Sequence, residues 1–138
     1  MQEAQHVAVV KEAYEAFGRG DIPALIERLD DSIVWKGVYG AGPHVPTSGE
    51  RRGKNQVAEF FKQVAATVNF SSFEPKEFIA TGDKVVALGH YTATTTPVGR
   101  KFDSDFAMVF TFRNGKIVEF QEFMNSAAID AAYTVAAV

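Results

Sequence analysis

The sequence predicts an α+β domain in which a cone-shaped, curved mixed or antiparallel sheet wraps around three N-terminal helices. Two observations carry that expectation. Helical periodicity occupies most of the first half of the chain, whereas residues 72–124 alternate with a period of two. Three turn signals, Thr81-Gly82-Asp83, Pro97-Val98-Gly99 and Arg113-Asn114-Gly115, cut the second stretch into successive strands. Helices early and an antiparallel sheet late must bury their apolar faces against each other. A sheet bent around helices leaves a cone, and a cone has a pocket.

In chain order, residues 3–18 form an amphipathic helix, with Val7, Val10, Tyr14 and Phe17 on one stripe and Gly18-Arg19-Gly20 as its stop. Asp21 caps a second helix that tolerates Pro23 in its first turn and turns Leu25, Ile26 and Leu29 inward. Asp30-Asp31 ends it, and Ser32–Lys36 is a short strand. Gly37 to Gly53 is a long Gly- and Pro-rich loop, of a length that often serves as a functional cover. A third helix runs from about Lys54 to Val68, with Val57, Phe60, Phe61, Val64 and Val68 on its buried stripe. Strands follow at about Ser72–Ala80, Lys84–Thr95, Phe102–Phe112 and Lys116–Met124. Ser126 to Ala136 is a short terminal helix, with Asn125 as its simplest cap.

Bulk properties narrow the function classes. The 138 residues suit one domain, 1–138, with a substantial core. A net charge of −3 with no long basic block argues against nucleic acid as a partner. The absence of cysteine excludes disulfides and a thiol nucleophile. No apolar run approaches membrane-spanning length and Met1-Gln2-Glu3 does not begin a signal peptide, so a soluble, cytoplasmic protein without membrane contact is expected. His6, His44 and His90 are too widely spaced for a metal motif and no dinucleotide fingerprint is present, so neither metal nor cofactor is expected.

One carboxylate stands out. On the last two strands Phe106, Met108, Phe110 and Phe112 alternate against Ala107, Val109 and Thr111, and Glu122 lies on the apolar side between Phe120 and Met124. A two-residue Asn-Gly loop would set Glu119 and Gln121 beside the phenylalanines. A three-residue loop with Gly115 in a bulge instead pairs Phe106, Met108 and Phe110 with Glu122, Phe120 and Val118, keeping the apolar sets together. Glu122 is then a buried acid, which is either paired or functional.

Four stretches carry a resemblance that spans nearly the whole chain. They are Tyr14-Glu15-Ala16-Phe17-Gly18-Arg19-Gly20-Asp21, Leu29-Asp30-Asp31-Ser32-Ile33-Val34-Trp35, Gly53-Lys54-Asn55-Gln56-Val57-Ala58-Glu59-Phe60-Phe61, and the run from Phe106 to Met124. In this order they resemble the SnoaL-like and ketosteroid isomerase-related proteins of the nuclear transport factor 2-like superfamily. That resemblance implies a conical pocket open at one end and a homodimer through the outer sheet face. It also implies even positions of the strand 84–95 facing inward: Val86, Leu88, His90 and Thr92. The steroid isomerase aspartates are not matched, because their positions hold Lys36 and Met108. Their helix-one tyrosine falls within about one residue of Tyr14. SnoaL-like relatives often carry His and Asp where this chain has Met108 and Asn125.

Glu122 and His90 are therefore the expected proton-moving pair, with Tyr14 polarising a ligand oxygen. Trp35, Phe61, Leu88, Phe106, Met108, Phe120 and Met124 are the expected walls for a hydrophobic small molecule. Each has an ordinary alternative: a hydrogen-bonded core histidine, an amphipathic core tyrosine, or plain packing. Lys36 reads as a solvated strand end, and His44 as a residue of the covering loop. Asp103 and Asp105 read as outer-face charges. The expected function is cofactor-independent acid/base chemistry on a hydrophobic carbonyl compound, by isomerisation, cyclisation or dehydration. The alternatives are a non-catalytic pocket for an apolar ligand and a structural dimer whose cavity is vestigial.

Overall fold

A computed structural model describes residues 2–134. Ten elements follow one another: α1 (Gln2–Gly18), α2 (Ile22–Ile26), β1 (Leu29–Lys36), β2 (Glu50–Arg52), α3 (Lys54–Thr67), β3 (Val68–Thr81), β4 (Lys84–Thr95), β5 (Lys101–Arg113), β6 (Lys116–Met124) and α4 (Ser126–Tyr133). The six strands form one sheet in the order β2-β1-β6-β5-β4-β3. Only β1 and β6 run parallel; every other pair is antiparallel. The sheet is therefore mixed, as expected. α1 packs on β3 and β4, α3 on β1, β2 and β3, and α4 on β4 and β5, so the curved inner face is filled by helices at both ends.

The local signals hold where a specific atom carries them. Asp21 caps α2 by accepting from the Ala24 N–H at 3.2 Å, and Asn125 caps α4 by accepting from the Ala128 N–H at 3.1 Å. Several boundaries move. Leu29 belongs to β1 and not to the second helix, the expected long loop contains the short strand β2, and β3 starts at Val68, immediately after α3. The expected end of the last helix at Ala136 lies outside the described residues. On α1 the buried positions are His6, Val10, Ala13 and Ala16, while Val7, Tyr14 and Phe17 pack against that core from its edge.

The β5–β6 hairpin corrects the turn expectation. Arg113 pairs with Lys116, so the loop is the two residues Asn114 and Gly115, with φ of 52° and 79°. Positive φ at both positions is the demand of a type I′ turn, which Asn-Gly meets best. Parity is then restored inside the strand. Phe112 pairs with Ile117 but Thr111 with Glu119, so Val118 is an extra residue in a bulge. The partners become Phe106 with Met124, Met108 with Glu122 and Phe110 with Phe120, two residues away from the expected pairing but with the same faces. Ile117 is fully buried in place of Val118.

β4 corrects a second expectation. Its odd positions face inward: Val85, Ala87, Tyr91 and Ala93 are buried, whereas Val86, Leu88, His90 and Thr92 are only partly covered. Gly89, on that inner row, leaves room for Phe106. A Cβ there would stand 2.5 Å from Phe106 Cζ and 2.9 Å from Pro75 Cα. Gly89→Ala is expected to destabilise the fold by about 1–3 kcal/mol through overpacking. Urea unfolding should show the loss, and an unchanged midpoint would refute the close approach.

Candidate active site

The inner face encloses a cavity of about 100 Å³. Among the described residues 23 line it; twelve of these are aromatic, and Glu122 is the only charged side chain among the 23. The rings are mutually ordered. Trp35 stacks on Phe120 at 3.9 Å between centroids and 19° between planes, a contact set up by the parallel register that places Trp35 beside Phe120. Phe110 lies 5.0 Å from Phe120, and Tyr14 meets Phe110 edge-on at 5.9 Å.

Glu122 is 5% exposed. Its Oε1 accepts from the Val38 backbone N–H at 2.9 Å, and its Oε2 accepts from the Tyr91 hydroxyl at 2.8 Å. Burial pushes its pKa above the ordinary carboxyl value; the Val38 and Tyr91 hydrogen bonds oppose that rise without cancelling it. Val38 reaches the carboxyl by adopting φ of 50°. For a β-branched residue this is strained, at a cost of about 1–3 kcal/mol. The covering segment from Gly37 is pinned from the other side as well. The Gly42 N–H donates to Asp130 Oδ1 at 2.6 Å, and His44 Nε2 lies 3.1 Å from the Asp130 carbonyl.

Tyr14 comes from α1, and its hydroxyl donates to Met108 Sδ at 2.9 Å. Desolvation, reinforced by the Glu122 charge, pushes its pKa up. Tyr91 is shifted the same way, by burial first and then by Glu122. Both phenols therefore stay protonated through the physiological range and act as donors. Met108 sits directly opposite Glu122 on β5, so Tyr14, Met108, Glu122 and Tyr91 form one polar strip in a largely apolar wall.

Of the expected site residues, Glu122, Tyr14, Trp35, Phe61, Met108 and Phe120 line the cavity. His90 does not. With the odd row of β4 inside, His90 points outward, its Nδ1 2.8 Å from Asp105 Oδ1 and its Nε2 3.5 Å from Asp103 Oδ1. Leu88 shares that outer row. Phe106 is buried behind the cavity wall, 5.5 Å from the Tyr91 ring, and half-buried Met124 is likewise not part of the lining. Lys36 also lies outside the lining, its Nζ 5.5 Å from the Tyr39 ring. Among the lining residues missed are Tyr91, Val38, Phe17 and Phe73. Tyr91 had a signal: the odd row of β4 carries no charge at all, whereas His90 faces two aspartates across the strand pair. Among the described residues, no three His, Cys, Asp or Glu side chains converge as metal donors, and no helix is long and apolar enough to cross a membrane.

A raised carboxyl pKa makes the native state bind the proton more tightly than the unfolded chain does. Stability from this group is therefore greatest below the ordinary carboxyl pKa of about 4.5 and falls as pH rises toward the raised native value, by up to about 1.4 kcal/mol per pH unit. Glu122→Gln should remove that component, so the variant gains on the wild type across the window. Tyr91→Phe, which deletes one donor to the carboxylate, should extend the loss to higher pH. Thermal melts of the three proteins over pH 4–8 provide the check; parallel curves would contradict it.

Comparison with known proteins agrees with this geometry. The sequence pattern of the SnoaL-like domain matches residues 10–120. A search of curated proteins finds no match. Among solved structures, an NTF2-like protein from Burkholderia xenovorans is 27% identical, with a TM-score of 0.86 over 96% of this chain and 98% of that one. An NTF2-like protein from Burkholderia pseudomallei is 26% identical, with a TM-score of 0.81 over 95% and 98%. TerC, co-crystallised with polyporic acid, shares the fold at 21% identity, with a TM-score of 0.75 over 94% and 98%. With an open six-stranded sheet wrapped on its helices and the family pattern covering most of its length, the chain belongs to the SnoaL-like domain family of NTF2-like proteins.

Proposed function

We propose that the cavity binds a small hydrophobic, unsaturated molecule and that Glu122 moves a proton on it without a cofactor. One observation carries this reading: a carboxyl with an elevated pKa is the sole carboxyl among the described residues on the wall of an aromatic cavity. A general base or acid works best when its pKa lies near the operating pH, and desolvation moves a carboxyl that way. Tyr14 supplies the complementary group. Its hydroxyl now rests on a thioether, a weak acceptor, and a ligand carbonyl oxygen is a better one. Abstraction of an α-proton by Glu122, with Tyr14 donating to the developing enolate oxygen, is the step this arrangement favours. Isomerisation, cyclisation and dehydration all contain it. The presence of polyporic acid with TerC supports ring-bearing ligands in this fold.

A second reading, a binding protein without catalysis, draws on Met108. Directly opposite Glu122 it provides no second acid or base, and His90 is outside the cavity. Isomerisation of 3-cyclohexenone, followed by the absorbance of the conjugated product, separates the two. Catalysis requires turnover above buffer that Glu122→Gln lowers by about 10²–10⁴-fold and Tyr14→Phe lowers less. Saturable binding with no turnover would leave the binding reading.

The assembly belongs to the same reading. Phe123 is 52% exposed on the outer face beside Ala107, and covering that apolar surface favours a homodimer. Light scattering should give twice the chain mass at micromolar concentration, and Phe123→Arg should return the monomer. A monomeric wild type refutes the dimer.

A further inference from the structure

The charge balance of the cavity restricts what it accepts. Among its lining residues Glu122 is the sole acid, and there is no Lys, Arg or His. Both hydrogen-bond partners of the carboxyl are neutral, a backbone N–H and a phenol. An ionised Glu122 is thus held by two dipoles but has no counter-cation among the groups that bear on it. Buried charges are ordinarily paired. A carboxylate offers four lone-pair positions, and Val38 and Tyr91 use two, leaving acceptor capacity for a ligand. Twelve of the described lining residues are aromatic and the others are aliphatic apart from Glu122, Thr47 and Met108; Trp35, Phe120, Phe110, Tyr14 and their neighbours present π-faces with negative potential, which attract a cation and repel an anion.

We propose that the preferred ligand carries a protonated amine on a small flat body, with the ammonium seated against Glu122 and the body between the aromatic rings. This rests on the cavity being a ligand site and not on Glu122 moving a proton. A cation pairs as an ion with the carboxylate and with the ring faces together, a neutral alcohol has the rings and an uncharged donor only, and a carboxylate has neither. At about 100 Å³ the cavity is smaller than an engineered apolar cavity of about 150 Å³ that takes up benzene, so the body is no larger than one ring and the wall must yield to admit it. If the carboxyl is protonated beforehand, binding of the ammonium releases that proton to solvent. Amine affinity should therefore rise with pH until Glu122 is fully ionised. The other titratable groups facing Glu122 are phenols, Tyr14 from α1 and Tyr91 from β4, both held neutral by burial. β5 offers only Met108 and the covering segment only Val38.

Benzylamine, benzyl alcohol and benzoate share one body and differ in charge, so calorimetric titration of the full chain with each tests the order. At neutral pH benzylamine should bind about tenfold or more tighter than benzyl alcohol, and benzoate should not bind. Glu122→Gln should bring the amine within about threefold of the alcohol while leaving the alcohol nearly unchanged. Equal affinity for amine and alcohol, or a preference that survives Glu122→Gln, overturns the charge selection alone and leaves the hydrophobic cavity standing. Failure of all three to bind overturns both readings. If the variant does not fold, the wild-type pH profile decides: amine affinity flat across the Glu122 titration also overturns the proposal.

Discussion

The parity of the β5–β6 hairpin is the constraint on which the site depends. Side chains alternate strictly along a strand, so one residue more or less between Phe112 and Phe120 moves Glu122 from the cavity to the outer face. The turn cannot set that parity alone. Asn114-Gly115 is the tightest hairpin loop, and extended without interruption it would put Glu119 and Gln121 among the phenylalanines. The bulge at Val118 supplies the missing residue. From there the geometry propagates by pairing. Met108 comes opposite Glu122, Phe120 comes beside Trp35 through the parallel β1, and Tyr91 on β4 reaches the carboxyl from the far side of β5.

Holding an acid in this place works against stability, and the surroundings show how the cost is contained. Desolvation disfavours the charged form, and two donors recover part of the loss. One of them, the Val38 N–H, is available only because Val38 accepts a left-handed backbone. Strain of this kind persists where the surroundings over-determine it. Here Glu122 binds the segment at Val38 while Asp130 binds it at Gly42. A fold selected only for stability would place an aliphatic residue at 122, satisfy nothing and strain nothing. The local rules broken together around this one side chain are the ground on which the proposed function rests.

The layout of helices and strands, the α2 and α4 caps and the inward face of β5 were all legible in the sequence, because each rests on a local pattern. Glu122 was legible for the same reason: four apolar even positions on β5 and a matching set on β6 admit only one way of facing. β4 was not. Val85 and Ala87 alternate with Val86 and Leu88, so both faces are apolar and periodicity cannot choose between them. The deciding information lay on the next strand, where Asp103 and Asp105 face outward and pair with His90. That information is long-range, and reading β4 by itself cost both His90 and Tyr91. Val38 was beyond reach in a different way, because its contribution is a backbone N–H that any residue would carry.

Met108 shows how a single cross-strand position sets the chemistry available to the cavity. Directly opposed side chains on an antiparallel pair have Cβ atoms about 4.5–5.5 Å apart, so an acid at 108 would share its field with Glu122. Two carboxyls that close titrate as a coupled pair, one pushed far above the other. With methionine there, Glu122 titrates alone, its pKa set by burial, by Val38 and by Tyr91. Tyr14, which would donate to an acid at 108, rests instead on the Met108 sulfur, a weak acceptor. Methionine at 108 therefore leaves Glu122 as the one carboxyl at this cross-strand position and, on the function proposed above, leaves the Tyr14 phenol for a ligand oxygen.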